Sequence, residues 1–327
     1  GVVKLTKKIL FITFICEAVG AVLLSFRFIP EFGIFRGIWF SIFHAISAFC
    51  NAGFDLMGRK YGAYNSLSAY SSDFLINIVI MLLILIGGIG FIVWDDITKH
   101  RLNFRKYRLH SKIVIFASVI LFVIPTLIFF ITEQTTVLRG MGFSHAVLVS
   151  AFSDVTARTA GFNTVDFKFF SDAGKMVFII IMFIGAGSGS TAGGIKMTTF
   201  FVLLAQVRAN VLNKKITEVF NRTISNEIVV RAATISTINI SLILVSAIAI
   251  NYIDKINILD LLFEVTSAVS TVGVTTGITR DLNTISKCIL IILMYLGRVG
   301  GLSFALSLTH NKNQVKLRNP VEDISIG

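Results

Sequence analysis

Three glycines, Gly53, Gly161 and Gly273, stand roughly 110 residues apart, each behind a short apolar segment that ends in small and hydroxyl-bearing residues. The stretches around them read Ser47-Ala48-Phe49-Cys50-Asn51-Ala52-Gly53-Phe54, Arg158-Thr159-Ala160-Gly161-Phe162-Asn163 and Ser267-Ala268-Val269-Ser270-Thr271-Val272-Gly273-Val274. Glycine reaches backbone angles closed to other residues, so a turn built on it can aim successive carbonyls at one point and replace the hydration shell of a cation. A lone glycine in an apolar segment more often serves close helix packing. Recurrence at matching places in three segments favours the carbonyl role. Other chemistries fit less well. His44, His100, His110, His145 and His310 have no metal-ligand spacing, and Cys16, Cys50 and Cys288 form neither pairs nor a ligand set and read as packing residues. A dinucleotide fingerprint is matched by Gly187-Ser188-Gly189-Ser190-Thr191-Ala192, but no strand precedes it and no acid follows at about 20 residues. A P-loop needs Lys after Gly194, where Ile195 stands, and no G-x-S-G nucleophile motif occurs. No enzymatic step and no covalently or tightly bound cofactor is expected.

The elements that must position these glycines follow from composition. Of 327 residues, 54% are hydrophobic and 15% charged, against about 25% charged in an ordinary soluble domain. The mean hydropathy is +0.81. A typical soluble protein is excluded, and an all-α integral membrane protein is expected. Six stretches are long enough to cross a hydrocarbon core: Ile9 to Phe26, Phe74 to Trp94, Ile113 to Ile131, Met176 to Val207, Ala232 to Ile253 and Cys288 to Thr309. Three further apolar segments, Gly37 to Met57, Met141 to Ala157 and Ile258 to Thr279, lie between the members of each pair and suit re-entrant helices. The order span, re-entrant helix and loop, span is thus written three times, over residues 1–98, 99–207 and 208–309, with 310–327 as a tail. The net charge of +12 is read as topogenic, with no nucleic acid as partner. More than half of the 30 Lys and Arg fall on segments facing one side, including Lys99 to Lys112, Arg208 to Arg231 and Lys312 to Arg318. These segments and the C-terminus are therefore cytoplasmic in a multi-pass protein of the cell membrane.

Two further features need a cavity. Gly185 to Gly194 interrupts the fourth stretch with five glycines, two serines and a threonine, poor formers of a helix interior. Irregular backbone at membrane depth is tolerated only where it is buried in protein or lines a water-filled space. Arg298, Lys196 and Glu17 sit within apolar stretches, where an ionisable residue faces a cavity or a partner. Glu264, three residues before Ser267, reads as an acceptor for loop or helix hydrogen bonds, and Asp55 and Asp281 as acids at an outer mouth.

Thr271-Val272-Gly273-Val274 is a near match to the start of the potassium-channel filter TVGYG. The motif Phe43-His44-Ala45-Ile46-Ser47-Ala48-Phe49-Cys50-Asn51-Ala52-Gly53-Phe54, the Arg158 to Asn163 stretch, Gly185-Ala186-Gly187-Ser188-Gly189-Ser190-Thr191-Ala192-Gly193-Gly194-Ile195-Lys196 and Thr271-Val272-Gly273 together resemble the membrane subunit of Trk/Ktr/HKT-type potassium transporters, most closely the Ktr type. The resemblance runs over essentially the whole chain. It implies four span, pore-helix, span units around one pore, of which three are expected here, the family's first unit falling before Gly1. It implies a potassium filter of Asn51, Ala52, Gly53 and Phe54, of Thr159, Ala160, Gly161 and Phe162, and of Thr271, Val272, Gly273 and Val274, with K⁺ held by their backbone carbonyls. The stretch Gly185 to Gly194, with Lys196 and Arg298, becomes an intramembrane gate. Potassium is the transported ion, Na⁺ a candidate activator, and the implied partners are a second copy of the chain, membrane lipid and a cytosolic ring of nucleotide-binding regulatory subunits. An ion-coupled antiporter using Glu17, Lys196 and Arg298 as a charge relay is the alternative.

Overall fold

A computed structural model describes residues 2–101, 103–214 and 216–300. The end of the sixth apolar stretch, the 310–327 tail and His310 lie outside the described residues. The chain runs α1 (Val2–Phe32), α2 (Ile34–Phe49), the single turn α3 (Gly58–Tyr61), α4 (Phe74–Ile89) and α5 (Phe91–His100). It continues through α6 (Leu109–Thr132), α7 (Phe143–Ala157), α8 (Asp172–Ile184) and α9 (Met197–Val211). A two-stranded antiparallel hairpin follows, β1 (Thr217–Val219) and β2 (Arg222–Ile224), with Thr217 opposite Ile224. The last helices are α10 (Asn226–Asp254), α11 (Ile258–Val269) and α12 (Thr284–Val299). The fold is all-α apart from that hairpin.

Among the described residues, α1, α6 and α10 are long and apolar enough to cross a membrane alone, and only 11%, 33% and 28% of their most apolar windows is buried. Their outer faces carry Phe11, Phe14, Phe26, Val123, Leu127, Val245 and Ile248 exposed, an apolar surface suited to lipid. The stretch read as one span from Phe74 to Trp94 is instead broken: α4 and α5 meet at 93° across Gly90, whose φ of 100° is closed to side-chain-bearing residues without strain. The fourth stretch is broken as its glycines require, giving α8 and α9. In each of the three parts the helix after the glycine loop begins on a side-chain cap, Asp73 for α4, Ser171 for α8 and Asn283 for α12.

The short helices form the interior. In α7 every residue from Leu148 to Ala157 is buried. Leu24, Phe28, Phe49 and Ile80 pack α1, α2 and α4 around Phe152 of α7. Phe178 of α8 lies with Phe263 of α11 at 5.1 Å between ring centres and with Phe167 at 4.7 Å. Ile250, Leu261, Val265 and Leu293 join α10, α11 and α12. His44 packs between Phe28 and Phe40, its Nδ1 at 2.7 Å from the Phe40 carbonyl. Of the cysteines read as packing residues, only Cys16 meets the core; Cys50 and Cys288 are exposed. Cys50 follows the last buried turn of α2, and Cys288 lies on the side of α12 opposite Ser286, Leu290 and Leu293.

Candidate functional site

Each short helix ends the same way. After α2, α7 and α11 the second residue turns left-handed, Asn51 at φ 49°, Thr159 at φ 70° and Thr271 at φ 53°. This is the position where helices commonly place glycine or asparagine, and a β-branched threonine there is a strained choice costing on the order of 1 kcal/mol or more. Two residues on, Gly53, Gly161 and Gly273 again take positive φ, 72°, 93° and 89°. The residue between them is tied back to its own helix: Ala52 N donates to Ser47 O at 2.9 Å, Ala160 N to Thr156 O at 3.0 Å and Val272 N to Ser267 O at 2.9 Å. Helix hydroxyls fix the far side. Ser47 donates to Phe54 O at 2.8 Å, Thr156 to Phe162 O at 2.5 Å, and Ser267 Oγ accepts from Gly273 N at 3.2 Å.

The loops converge. A Cβ built on Gly53 would lie 2.6 Å from the Ala160 carbonyl oxygen, and one on Gly161 would lie 2.6 Å from that of Val272. Only glycine fits such backbone-to-backbone approach. Gly53, Gly161 and Gly273 together line one cavity of about 750 Å³, walled above by Asp55, Asp166 and Asp281 and by Lys168 and Arg280. Phe162 is fully buried while Phe54 is exposed, so the matching aromatic positions are not equivalent. Asp166 was not singled out by the sequence, because nothing in its spacing marks it; Asp55 and Asp281, read there as outer-mouth acids, line the same cavity.

On the other side the stretch 185–196 lies against the inner ends of all three loops. Thr191 Oγ1 donates to Phe49 O at 3.2 Å and stands 3.3 Å from Asn51 Oδ1. Gly193 N donates to Thr159 Oγ1 at 3.1 Å, and a side chain at Gly193 would run into Ser270 and Thr271. The stretch is also stitched to the Gly90 break, Gly187 N to Gly88 O at 2.8 Å and Phe91 N to Gly189 O at 2.9 Å. Arg298 Nη1 donates to Thr191 O at 3.2 Å. Lys196, left-handed at φ 79°, donates through Nζ to Ala192 O at 2.5 Å. Gly185, Ala186, Ser188, Ser190 and Gly194 complete the segment, with Ser190 Oγ donating to Gly187 O at 2.7 Å.

The remaining charges separate. Glu264 accepts hydrogen bonds from Thr275, at 2.6 Å, and from Thr279, both in the loop beyond Gly273. Neither Lys196 nor Arg298 forms an ion pair among the described residues, and Glu17 is half-buried on α1. One pair escaped the sequence reading. Arg158, which caps α7, and Asp154 four residues before it are both buried and stand 3.9 Å apart, and Arg158 Nη2 also donates to Ser118 O of α6 at 2.8 Å. Its backbone carbonyl accepts from Asn51 Nδ2 at 3.4 Å, which joins the first loop to the second. A four-residue spacing of opposite charges at the end of α7 is the signal that could have found it.

The family model described as TrkH, cation transport protein, matches residues 1–317. Potassium/sodium uptake protein NtpJ of Enterococcus hirae is 41% identical over 335 aligned residues, covering 100% of this chain and 72% of that protein. Ktr system potassium uptake protein B of Bacillus subtilis is 38% identical over 330, again covering 100% of this chain and 72% of that protein. The crystal structure of the potassium transporter TrkH from Vibrio parahaemolyticus superposes with a TM-score of 0.76 at 19% identity, over 93% of this chain and 64% of the other. That last likeness concerns the fold.

Proposed function

This chain belongs to the TrkH family of cation transport proteins, and from that premise we propose that it provides three sides of a potassium-uptake path running between the glycine loops. The observation that carries the reading is the meeting of Gly53, Gly161 and Gly273 at one cavity. Asn51 to Phe54, Thr159 to Phe162 and Thr271 to Val274 act as the filter, their carbonyls taking the place of water around K⁺. Asp55, Asp166 and Asp281 raise the local cation concentration at the outer mouth. The drive is the membrane potential, about 2.3 kcal/mol per charge per 100 mV.

The segment from Gly185 to Lys196 closes the path from inside, held by hydrogen bonds to the filter ends and by Arg298. Orientation follows the basic loops, placing Lys99 to Lys112 and Arg208 to Arg231 in the cytoplasm of a cell-membrane protein. The resemblance to Ktr-type subunits adds a homodimer and a cytosolic regulatory ring on the same side of the membrane. Lys196 and Arg298 are both turned onto backbone carbonyls, an arrangement suited to holding a loop and unsuited to relaying a proton.

The test is Gly161→Ser in the full-length protein, with K⁺ uptake measured against Na⁺ competition. A side chain there meets the Val272 carbonyl, so the preference for K⁺ should fall by about tenfold. Unchanged preference would remove Gly161 from the filter.

A further inference from the structure

A basic recess of about 700 Å³ opens between the α5–α6 connection and β2, lined by Arg105, Lys106, Arg108, Lys112, Arg222 and His100 together with uncharged neighbours. No carboxylate is among the residues lining it. Arg108 is occupied, its guanidinium 3.5 Å from Asp95 and from Asp96. Among the described residues Arg105, Lys106, Lys112 and Arg222 have no carboxylate partner, and Arg105, Lys106 and Arg222 are exposed. So many unneutralised cations around one hollow are mutually repulsive and favour a bound anion.

Beside it lies a second recess of about 480 Å³ with Phe116, Phe201, Leu204 and Leu212 on its apolar walls and Arg208, Lys214 and Glu218 also lining it. The two are separated by a row of rings, Phe104 to Phe220 at 6.2 Å and Phe220 to Phe116 at 5.9 Å. Phe220 and Asn221 form the two-residue turn of the hairpin, both left-handed, at φ 50° and 57°. Such turns select Asn-Gly or Asp-Gly, and a phenylalanine in that conformation is strained. Here the strained turn sets the Phe220 ring on the row and Arg222 in the basic recess. Outside the apolar recess Val207, Val211 and Ile216 are exposed, continuing the apolar surface of α9.

A basic pocket beside a largely apolar groove, at the ends of membrane-crossing helices, has the two-part chemistry that receives a lipid. We propose that the basic recess binds the phosphate headgroup of an anionic phospholipid, with an acyl chain lying along the Phe116 and Leu204 groove. The inference goes beyond the transport reading and needs only that α6 crosses a membrane. Headgroup sites of this kind sit where basic pockets meet helix ends. The hairpin is then a lipid-contacting element, and its residues sense the composition of the leaflet they face.

The test is native mass spectrometry of the full-length protein in mild detergent with phosphatidylglycerol or phosphatidylcholine added. The wild type should retain phosphatidylglycerol in preference, and Arg105→Gln/Lys106→Gln/Arg222→Gln should lower that retention by at least about tenfold. If the triple variant fails to fold, Lys106→Gln/Arg222→Gln gives the same reading. Equal retention by variant and wild type, or equal retention of the two lipids, overturns the proposal. Calorimetric titration with pyrophosphate forms the second arm: binding that the variant loses, without retention of phosphatidylglycerol, makes the recess a site for soluble phosphates and overturns the lipid assignment. No transport is measured, so failure of the potassium reading would leave this result standing.

Discussion

At the scale of single residues, Arg298 has one partner that matters, the Thr191 carbonyl, and among the described residues no carboxylate. Glu264, on the helix that leads into the third glycine loop, is already engaged by Thr275 and Thr279. Arg298→Gln therefore keeps an amide donor while removing a fixed positive charge from the path. K⁺ flux into proteoliposomes should rise by about two- to tenfold, with the melting temperature in detergent unchanged. Loss of both flux and stability would make Arg298 a prop. The candidate site was legible at this scale where chemistry needed glycine, since Gly53, Gly161 and Gly273 repeat in order. What was not legible is that Thr159 and Thr271 carry strain. Threonine carries no sequence signal for a left-handed backbone, and only packing against the segment around Gly193 reveals why the angle is held.

At the scale of elements, the segment from Gly185 to Lys196 owes its shape to contacts outside itself. Its own hydrogen bonds are few, and it is held by Gly88, Phe91, Phe49, Thr159 and Arg298. Removing Gly187 to Thr191 deletes four of these attachments and leaves the three glycine loops tied to their own helices. Flux in the folded deletion variant should exceed that of the wild type by about tenfold or more, since the proposed obstruction is lost. Lower flux would assign the segment to support. The order of apolar segments in the sequence located α2, α7 and α11 as re-entrant helices between longer spans. It missed the break at Gly90, where Phe74 to Trp94 reads as one unbroken apolar run. It also missed the hairpin, because Phe220 and Asn221 are not the residues that such a turn normally selects.

At the scale of the whole molecule, polar contacts beyond those around the glycine loops also join the three parts. Leu67 N donates to Asn163 O at 2.9 Å between the first and second, and Lys175 Nζ pairs with Asp260 Oδ1 at 2.8 Å between the second and third. Lys175 is buried, and Asp260 sits in the first turn of α11, where a carboxylate is favoured. Lys175→Gln should cost about 1–3 kcal/mol, read as a lower melting temperature in detergent, while K⁺ preference over Na⁺ stays unchanged. A changed preference would show that the contact tunes the filter. The regular spacing of the three glycines was legible in the sequence; the contact between Lys175 and Asp260 was not, since the two lie far apart in sequence and carry no motif.

The approach of the glycine loops has a handedness with a genetic consequence. The space that a side chain on Gly53 would claim belongs to the backbone of the second loop, and the space that one on Gly161 would claim belongs mainly to the third. Damage is therefore passed in one direction around the axis. Second-site suppressors of a substitution at Gly53 should accumulate near Ala160, and those of one at Gly161 near Val272, so a map of intragenic revertants would trace the order of the loops around the axis.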